Sequence, residues 1–179
     1  MPVTLLRHTT PDIAAGVCYG ISDLDVAGSF DEEAQAVAGQ LPVIDRIVTS
    51  PLLRCRRLAE HIAAARRTPV TADPRLREMD FGAWENHAWA DIPRAELDLW
   101  AKDFLHARPH GGESVAMLTA RTRDAIADVS AGQDHVLIVT HAGVIKAALA
   151  AGDSAGAYSA TISFGGFVTL LPPFPRTPA

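Results

Sequence analysis

Three short apolar runs in this chain each end in a basic or imidazole side chain, and no other feature narrows the possible folds as much. Pro2-Val3-Thr4-Leu5-Leu6 runs into Arg7-His8-Thr9. Arg46-Ile47-Val48-Thr49 runs into Ser50-Pro51-Leu52-Leu53-Arg54, and His135-Val136-Leu137-Ile138-Val139 into Thr140-His141-Ala142-Gly143. Short apolar runs bounded by polar residues read as buried strands of a parallel sheet. The C-terminal ends of such strands lie on one edge, and open α/β folds bind their ligands there. The three endings therefore predict one edge where cationic and imidazole groups converge.

Strand alternates with helix along the rest of the chain. Strands are expected over 2–6, 46–49, 69–71, 135–139 and 161–171, the last at or near a sheet edge. Ser29-Phe30-Asp31-Glu32 has capping-box form and opens a helix to about Leu41. Ser50 as N-cap, with Pro51 at the first helical position, launches a second helix to about Arg67. Further helices are expected over 93–104, 114–131 and 142–151, while 75–81 fits either a strand or an extended loop. This order predicts an α/β fold, a three-layer sandwich with a mostly parallel sheet flanked by helices. A chain of 179 residues with 48% apolar content fills one core. Residues 1–171 are read as a single domain with a lid-like segment at 84–112. The proline-rich tail, 172–179, is expected to be extended or frayed.

Composition narrows the function. A net charge of -5 argues against a general nucleic-acid surface, so arginine and histidine gathered at one edge point to a small anion. With 14 arginines among the 16 basic residues, position rather than number carries that argument. Neither a signal peptide nor a membrane span is visible, so the reading is cytoplasmic. Cys18 and Cys55 have no metal-ligand spacing and read as reduced thiols. No HExxH or His/Asp cluster suggests a metal, and no GxGxxG follows the first strand. The expected partner is a small phosphorylated metabolite, with no metal, no cofactor, no nucleic acid and no membrane; no residue pattern specifies an oligomeric state.

Arg54 falls near a helix start, where free N–H groups and the dipole favour an anion, and its guanidinium grips two phosphoryl oxygens at once. The alternative places Arg54 with Arg56 and Arg57 on a solvated helix face. His141 likewise enters a helix at Ala142. Arg7 at the end of a buried strand would be costly without a charge partner, which a bound phosphate supplies. Attack on phosphorus by a nitrogen expels an alkoxide, so a proton donor is also needed. Glu78, Asp80 and Glu85 are all candidates; each has a plain alternative as a salt-bridge partner of Arg75 or Arg77.

Five blocks resemble the histidine phosphatase superfamily, the phosphoglycerate mutase-like family, in order. They are Arg7-His8-Thr9; Ser50-Pro51-Leu52-Leu53-Arg54-Cys55; Arg77-Glu78 with Phe81-Gly82-Ala83-Trp84-Glu85; Gly111-Gly112-Glu113-Ser114; and Thr140-His141-Ala142-Gly143-Val144-Ile145-Lys146. The resemblance spans residues 3 to about 150. It implies a phosphoglycerate mutase-like fold and a phosphohistidine intermediate formed without a metal. By motif position, His8 would be the nucleophile and Glu78 the general acid, with Arg7, Arg54 and a protonated His141 holding the phosphate. Glu113 and Ser114 are read as structural, Ser114 as a helix N-cap. A partner must also fix the tautomer of His8.

Within the superfamily, Thr9, the run Cys18-Tyr19-Gly20-Ile21-Ser22-Asp23 and Ala142 are similar to α-ribazole phosphatases. That similarity implies a phosphomonoesterase acting on α-ribazole 5′-phosphate or a similar metabolite, with Thr9, Tyr19, Gly20 and Ala142 among the substrate contacts. The alternatives are a phosphoglycerate mutase-type phosphotransferase and a non-catalytic phosphate-binding module. Two positions depart from family patterns: Asn86 stands where Trp-Glu-Gly is common, and Ala14 where mutases present Asn. Trp84, Trp89, Trp100 and Phe104 could wall a pocket for a flat, dimethylbenzimidazole-like group. For Trp100 and Phe104, spaced i, i+4, ordinary helix-face packing is the favoured reading. His106 and His110 are expected in loops.

Overall fold

The apolar runs pair as one five-stranded sheet. In a computed structural model that describes residues 1–174, 176 and 177, the strands are β1 (Val3–Arg7), β2 (Arg46–Thr49), β3 (Val70–Ala72), β4 (Val136–Thr140) and β5 (Phe167–Leu170). Their order is β3-β2-β4-β1-β5, all parallel except β5, which runs antiparallel to β1 at the edge. β4 is buried along its whole length, as a central strand covered on both faces must be.

Helices cover both faces. Helix α1 (Phe30–Gln40) and α2 (Leu53–Arg66) bury Phe30, Val37, Leu58 and Ile62 against Leu6, Ile47, Leu137 and Val139 of one face. After the short α3 (Arg94–Lys102), α4 (Val115–Val129) and α5 (Ala142–Leu149) bury Leu118, Ile126, Val144 and Ile145 against Leu5, Val48 and Ile138 of the other. The result is a three-layer α/β sandwich. A smaller cluster of Cys18, Trp84 and Ile92 anchors the segment from 84 to 112. Among the described residues no helix is long and apolar enough to cross a membrane.

Several element ends differ from expectation. Ser29 makes no cap to α1; its hydroxyl donates to Glu33 instead, at 2.5 Å, so the capping box does not form. Helix α2 starts at Leu53 with Leu52 in the N-cap position; Ser50 sits two residues earlier, where its hydroxyl accepts from the Leu52 N–H (3.3 Å) and lies 2.8 Å from His141 Nε2. The 75–81 stretch is neither a strand nor wholly extended: Pro74–Leu76 forms a 3-10 turn capped by Asp73, and loop follows. Helix α3 stops at Lys102, two residues short of Phe104. Ser114 does cap α4, accepting from the Met117 N–H at 3.2 Å.

The stretch 161–166 is not strand. Gly165, at φ 69, breaks the extended run, and the loop folds back on β1. There the Arg7 N–H donates to Gly166 O (2.9 Å), and the Gly165 N–H to His8 O (3.1 Å). The tail is seated rather than frayed where it is described. Phe174 packs on the α4–α5 core, Arg176 pairs with Asp128 at 2.5 Å, and the Thr177 N–H donates to Asp124 at 3.1 Å. The rest of the tail expectation falls on Pro175, Pro178 and Ala179, outside the described residues.

Candidate active site

Strand register brings the three basic endings together. Arg7 pairs with Thr140 across β1 and β4, and Thr49 with Val139 across β2 and β4. His8, Ser50 and His141 each follow one of these neighbouring strands, and the His8 and His141 ring centroids are 5.2 Å apart. Both imidazoles are buried.

The partner that holds the His8 ring is its own neighbour. His8 Nδ1 lies 2.7 Å from the Thr9 carbonyl, which only accepts, so Nδ1 carries the hydrogen. Burial first, then the Arg54 and Arg7 charges, hold the His8 pKa down at about 3, against a pull upward from the Thr9 carbonyl. The ring is therefore neutral at ordinary pH, with the lone pair on Nε2.

Two guanidiniums flank it. Arg54 is fully buried, not on a solvated face. Its terminal nitrogens donate to Ser22 O and Gly20 O, both at 2.7 Å, and its Nε has no partner. Arg7 donates to Ile162 O at 2.6 Å and stacks over Phe164, 3.9 Å from the ring centroid, and its Nε is likewise without a partner. Neither makes an ion pair among the described residues. Thr9 is buried too, with an unpartnered hydroxyl. Charges buried opposite carbonyls alone are costly, and an anion in reach of these donors would offset that cost.

His141, the N-cap residue of α5, has its Nε2 2.8 Å from Ser50 Oγ and 3.5 Å from Cys55 Sγ. Burial, then the charges of Arg54 and of His8, holds its pKa well below the ordinary value. Without an anion the buried imidazole is therefore disposed to be neutral, and the protonated His141 expected at a bound phosphate would need that anion's charge beside it. Both thiols are free and buried, and burial pushes Cys18 up to about 12. Among the described residues no three His, Cys, Asp or Glu side chains are grouped to share a metal.

Of the three carboxylate candidates, geometry favours Glu78. Its Oε2 accepts from the Gly143 N–H (3.0 Å) and its Oε1 from the Met79 N–H (2.9 Å), at the start of α5 beside His141. Glu85 is instead consumed by structure, accepting from Phe81 and from Gly20, Ile21 and Ser22. Asp80 accepts from the Gly82 N–H at 2.8 Å. Glu113 pairs with Arg121 at 2.6 Å, and Arg121 also donates to the carbonyls of Arg75, Arg77 and Glu78. That brace holds the Glu78 backbone from behind.

The remaining predicted contacts divide. The Tyr19 ring lies 5.3 Å from the Arg54 guanidinium. Gly20 is more than a turn glycine: a Cβ there would fall 1.8 Å from Met79 O, so only glycine lets its carbonyl reach Arg54. Ala142, together with Glu78 and Gly143, lines a cavity of about 410 Å³ walled by Phe81, Trp89, Trp100, Phe104 and Tyr158. Trp100 and Phe104 both line the cavity and pack on each other, with ring centroids 5.7 Å apart, although Phe104 lies beyond the end of α3 and so not on its face. Trp84 does not line it; the ring is buried below, donating to Glu96 at 2.6 Å. His110 sits in a loop but is buried, 4.8 Å from the Trp84 ring centroid. Asn86 adopts φ 65, a conformation asparagine tolerates where glycine would otherwise serve, so this departure is absorbed locally.

Sequence reasoning missed Phe164, Ser50 as a partner of His141, and Lys146 and Tyr158 on the cavity wall. Lys146 lay within a quoted motif, and its i, i+4 spacing from Ala142 was the available signal; nothing local marked Phe164.

Comparisons with known proteins agree on the family. The model of the histidine phosphatase superfamily (branch 1) matches residues 3–157. The chain is 32% identical to adenosylcobalamin/alpha-ribazole phosphatase of Escherichia coli over 158 residues, covering 84% of this chain and 78% of that one. It is 34% identical to a probable phosphoglycerate mutase of Proteus mirabilis over 151 residues, covering 79% and 69%. Among solved structures, mycobacterial glucosyl-3-phosphoglycerate phosphatase superposes with a TM-score of 0.80 at 27% identity, covering 95% of this chain and 89% of that one.

Proposed function

The chain belongs to the histidine phosphatase superfamily, and from that premise we propose that it is a metal-independent phosphomonoesterase working through a phosphohistidine on His8. The observation that carries the reading is the neutral, buried His8 with its Nε2 lone pair available between the buried Arg54 guanidinium and the half-buried one of Arg7, neither of which has a carboxylate partner among the described residues.

In this mechanism His8 Nε2 attacks phosphorus in line with the ester oxygen. Arg7 and Arg54 Nε–H groups and the Thr9 hydroxyl take the phosphoryl oxygens, so donors that fold without partners find them in the transition state. Arg54 is pre-set for this by Gly20 O and Ser22 O, and Tyr19 packs against it. The phosphate's charge raises the proton affinity of His141, which then shares in holding it. As the P–O bond breaks, Glu78 gives its proton to the leaving alkoxide. The resulting carboxylate takes a proton from the water that attacks the phosphohistidine, and His8 is restored as inorganic phosphate leaves. The two guanidiniums supply the positive charge that a metal would otherwise bring.

For the substrate, we propose α-ribazole 5′-phosphate or a similar small phosphorylated metabolite. The likeness to the Escherichia coli phosphatase supports this, as does a largely aromatic cavity beside Glu78 and Ala142. The test is phosphate release in EDTA from α-ribazole 5′-phosphate, beside phosphoglycerates, glucosyl-3-phosphoglycerate, sugar phosphates and 4-nitrophenyl phosphate. Preference for the ribazole ester, with His8→Ala at least about 10³-fold slower, is expected. Full activity of His8→Ala would overturn the mechanism; an isomerised phosphoglycerate without net phosphate release would indicate a mutase.

A further inference from the structure

The leaving-group cavity carries one charged donor, Lys146, that the fold itself does not use. It stands four residues after Ala142 on α5, so Ala142, Gly143 and Lys146 share the face that lines the cavity. Lys146 is one of only two lysines in the chain, and it is the one cation among the lining residues. It makes no ion pair among the described residues. The other basic side chains around the site are tied down: Arg7 and Arg54 to carbonyls, and Arg121 to Glu113.

Apart from Glu78, the wall around Lys146 is mostly apolar. Phe81, Trp89, Trp100, Phe104 and Tyr158 present ring faces and edges, which favour a flat, polarisable body over a heavily hydroxylated one. The cavity also opens on the candidate site, because Glu78, Ala142 and Gly143 belong to both. The ester group of a phosphate seated for attack by His8 would therefore extend into it past Glu78.

We propose that Lys146 is a specificity-determining residue, and that the cavity takes an aromatic leaving group bearing an acceptor on its edge, a carboxylate most strongly. This rests on the phosphomonoesterase reading above. Lys146 meets the acceptor with a charge-assisted hydrogen bond, and the aromatic wall covers the ring. Ring nitrogens satisfy that donor more weakly than carboxylates, because a hydrogen bond between two ionised groups is the stronger one.

The test compares 2-naphthyl phosphate with 6-carboxy-2-naphthyl phosphate, using 4-nitrophenyl phosphate as a check on basal turnover. kcat/KM is measured for the wild-type protein, Lys146→Met and Lys146→Arg. The carboxylate's own effect on the leaving group is common to all three proteins and cancels in the ratio of the two naphthyl esters. We expect that ratio to be about tenfold higher in the wild type than in Lys146→Met, with most of the difference in KM, and Lys146→Arg to retain most of it. If 4-nitrophenyl phosphate is hydrolysed and the ratio is the same in wild type and Lys146→Met, the assignment of Lys146 is wrong and the phosphatase reading stands. If no ester releases phosphate, both fall together.

Discussion

At the scale of single residues, the site is built by placing polar atoms where only one arrangement satisfies them. His8 could present either nitrogen, but the Thr9 carbonyl 2.7 Å away holds Nδ1–H and leaves Nε2 as the attacking atom. Glu78 is held just as closely, by the N–H groups of Met79 and Gly143. Gly143 makes that second contact possible. A Cβ at this position would lie 2.2 Å from Glu78 Oε1 and 3.0 Å from its carboxyl carbon. Gly143→Ala must therefore push the carboxylate aside, while alanine in the first turn of α5 is at worst neutral for the helix and gains up to ~1 kcal/mol of propensity. The expected outcome is an unchanged or slightly raised melting temperature with kcat down about 10- to 100-fold. The fall should be steeper for an alkyl phosphate than for 4-nitrophenyl phosphate, whose leaving group needs no proton. Equal rates on the alkyl ester would show that the Glu78 position does not matter to turnover.

At the scale of elements, the loop that carries Tyr19, Gly20 and Ser22 has no regular structure, yet Arg54 depends on its carbonyls. Glu85 is what holds it. One carboxylate accepts from the N–H groups of Gly20, Ile21, Ser22 and Phe81 and from the Ser22 hydroxyl, at 2.6 to 3.3 Å. Burial alone would push its pKa up, but these donors outweigh burial and hold it below the usual carboxylate value. Glu85→Gln turns an NH2 toward the same donors, so at least one buried group loses its partner, at a cost of about 1–3 kcal/mol. Urea unfolding should register that loss, and kcat/KM should fall with it because the support of Arg54 loosens. A stability within about 0.5 kcal/mol of wild type (the ordinary range for a surface change) would mean the clamp is not what holds the loop. The strands and the basic residues at their ends were legible in the sequence because a buried parallel strand is written locally, as an apolar run with a polar stop. Glu85 was legible only as one of three carboxylates, since its five donors are spread over two segments. Phe164 and the Ser50–His141 pair were not legible for the same reason: Arg7 meets Phe164 only once the loop before β5 folds back on β1, and Ser50 meets His141 only once β2 and β4 pair. The boundary of α2 was misjudged because Ser50, a good cap by type, sits two residues before the Leu52 N-cap position, where its hydroxyl meets the Leu52 N–H and His141.

For the whole molecule, burying neutral imidazoles makes stability depend on pH in a direction that follows from the shifts. An unfolded histidine titrates near 6.5, whereas folded His8 does so at about 3, and His141 also sits well below its ordinary value. Between those values the unfolded chain binds protons that the folded one refuses, so stability is complete above about 6.5 and is lost as pH falls. Each such imidazole contributes a slope of up to ~1.4 kcal/mol per pH unit. The carboxylates held below their ordinary values, Glu85, Glu33 and Asp73, add to the loss only below about pH 4.5, where their unfolded forms protonate. On the alkaline side the sign reverses: burial raises the Cys18 and Cys55 thiols, so stability is present below about pH 9 and is lost as pH rises past it. Urea unfolding across about pH 5 to 10 should therefore show a plateau from about 6.5 to 9, with a decline on the acid side that begins well before the carboxylates titrate. His8→Gln keeps a polar side chain of similar reach and removes one of three buried imidazoles held below their ordinary pKa (His8, His141 and His110), so it should flatten the acid limb by up to ~1.4 kcal/mol per pH unit. A wild-type stability that stays level from about pH 7 to 5 would show instead that the site admits the proton, and that His8 is not held neutral by its surroundings.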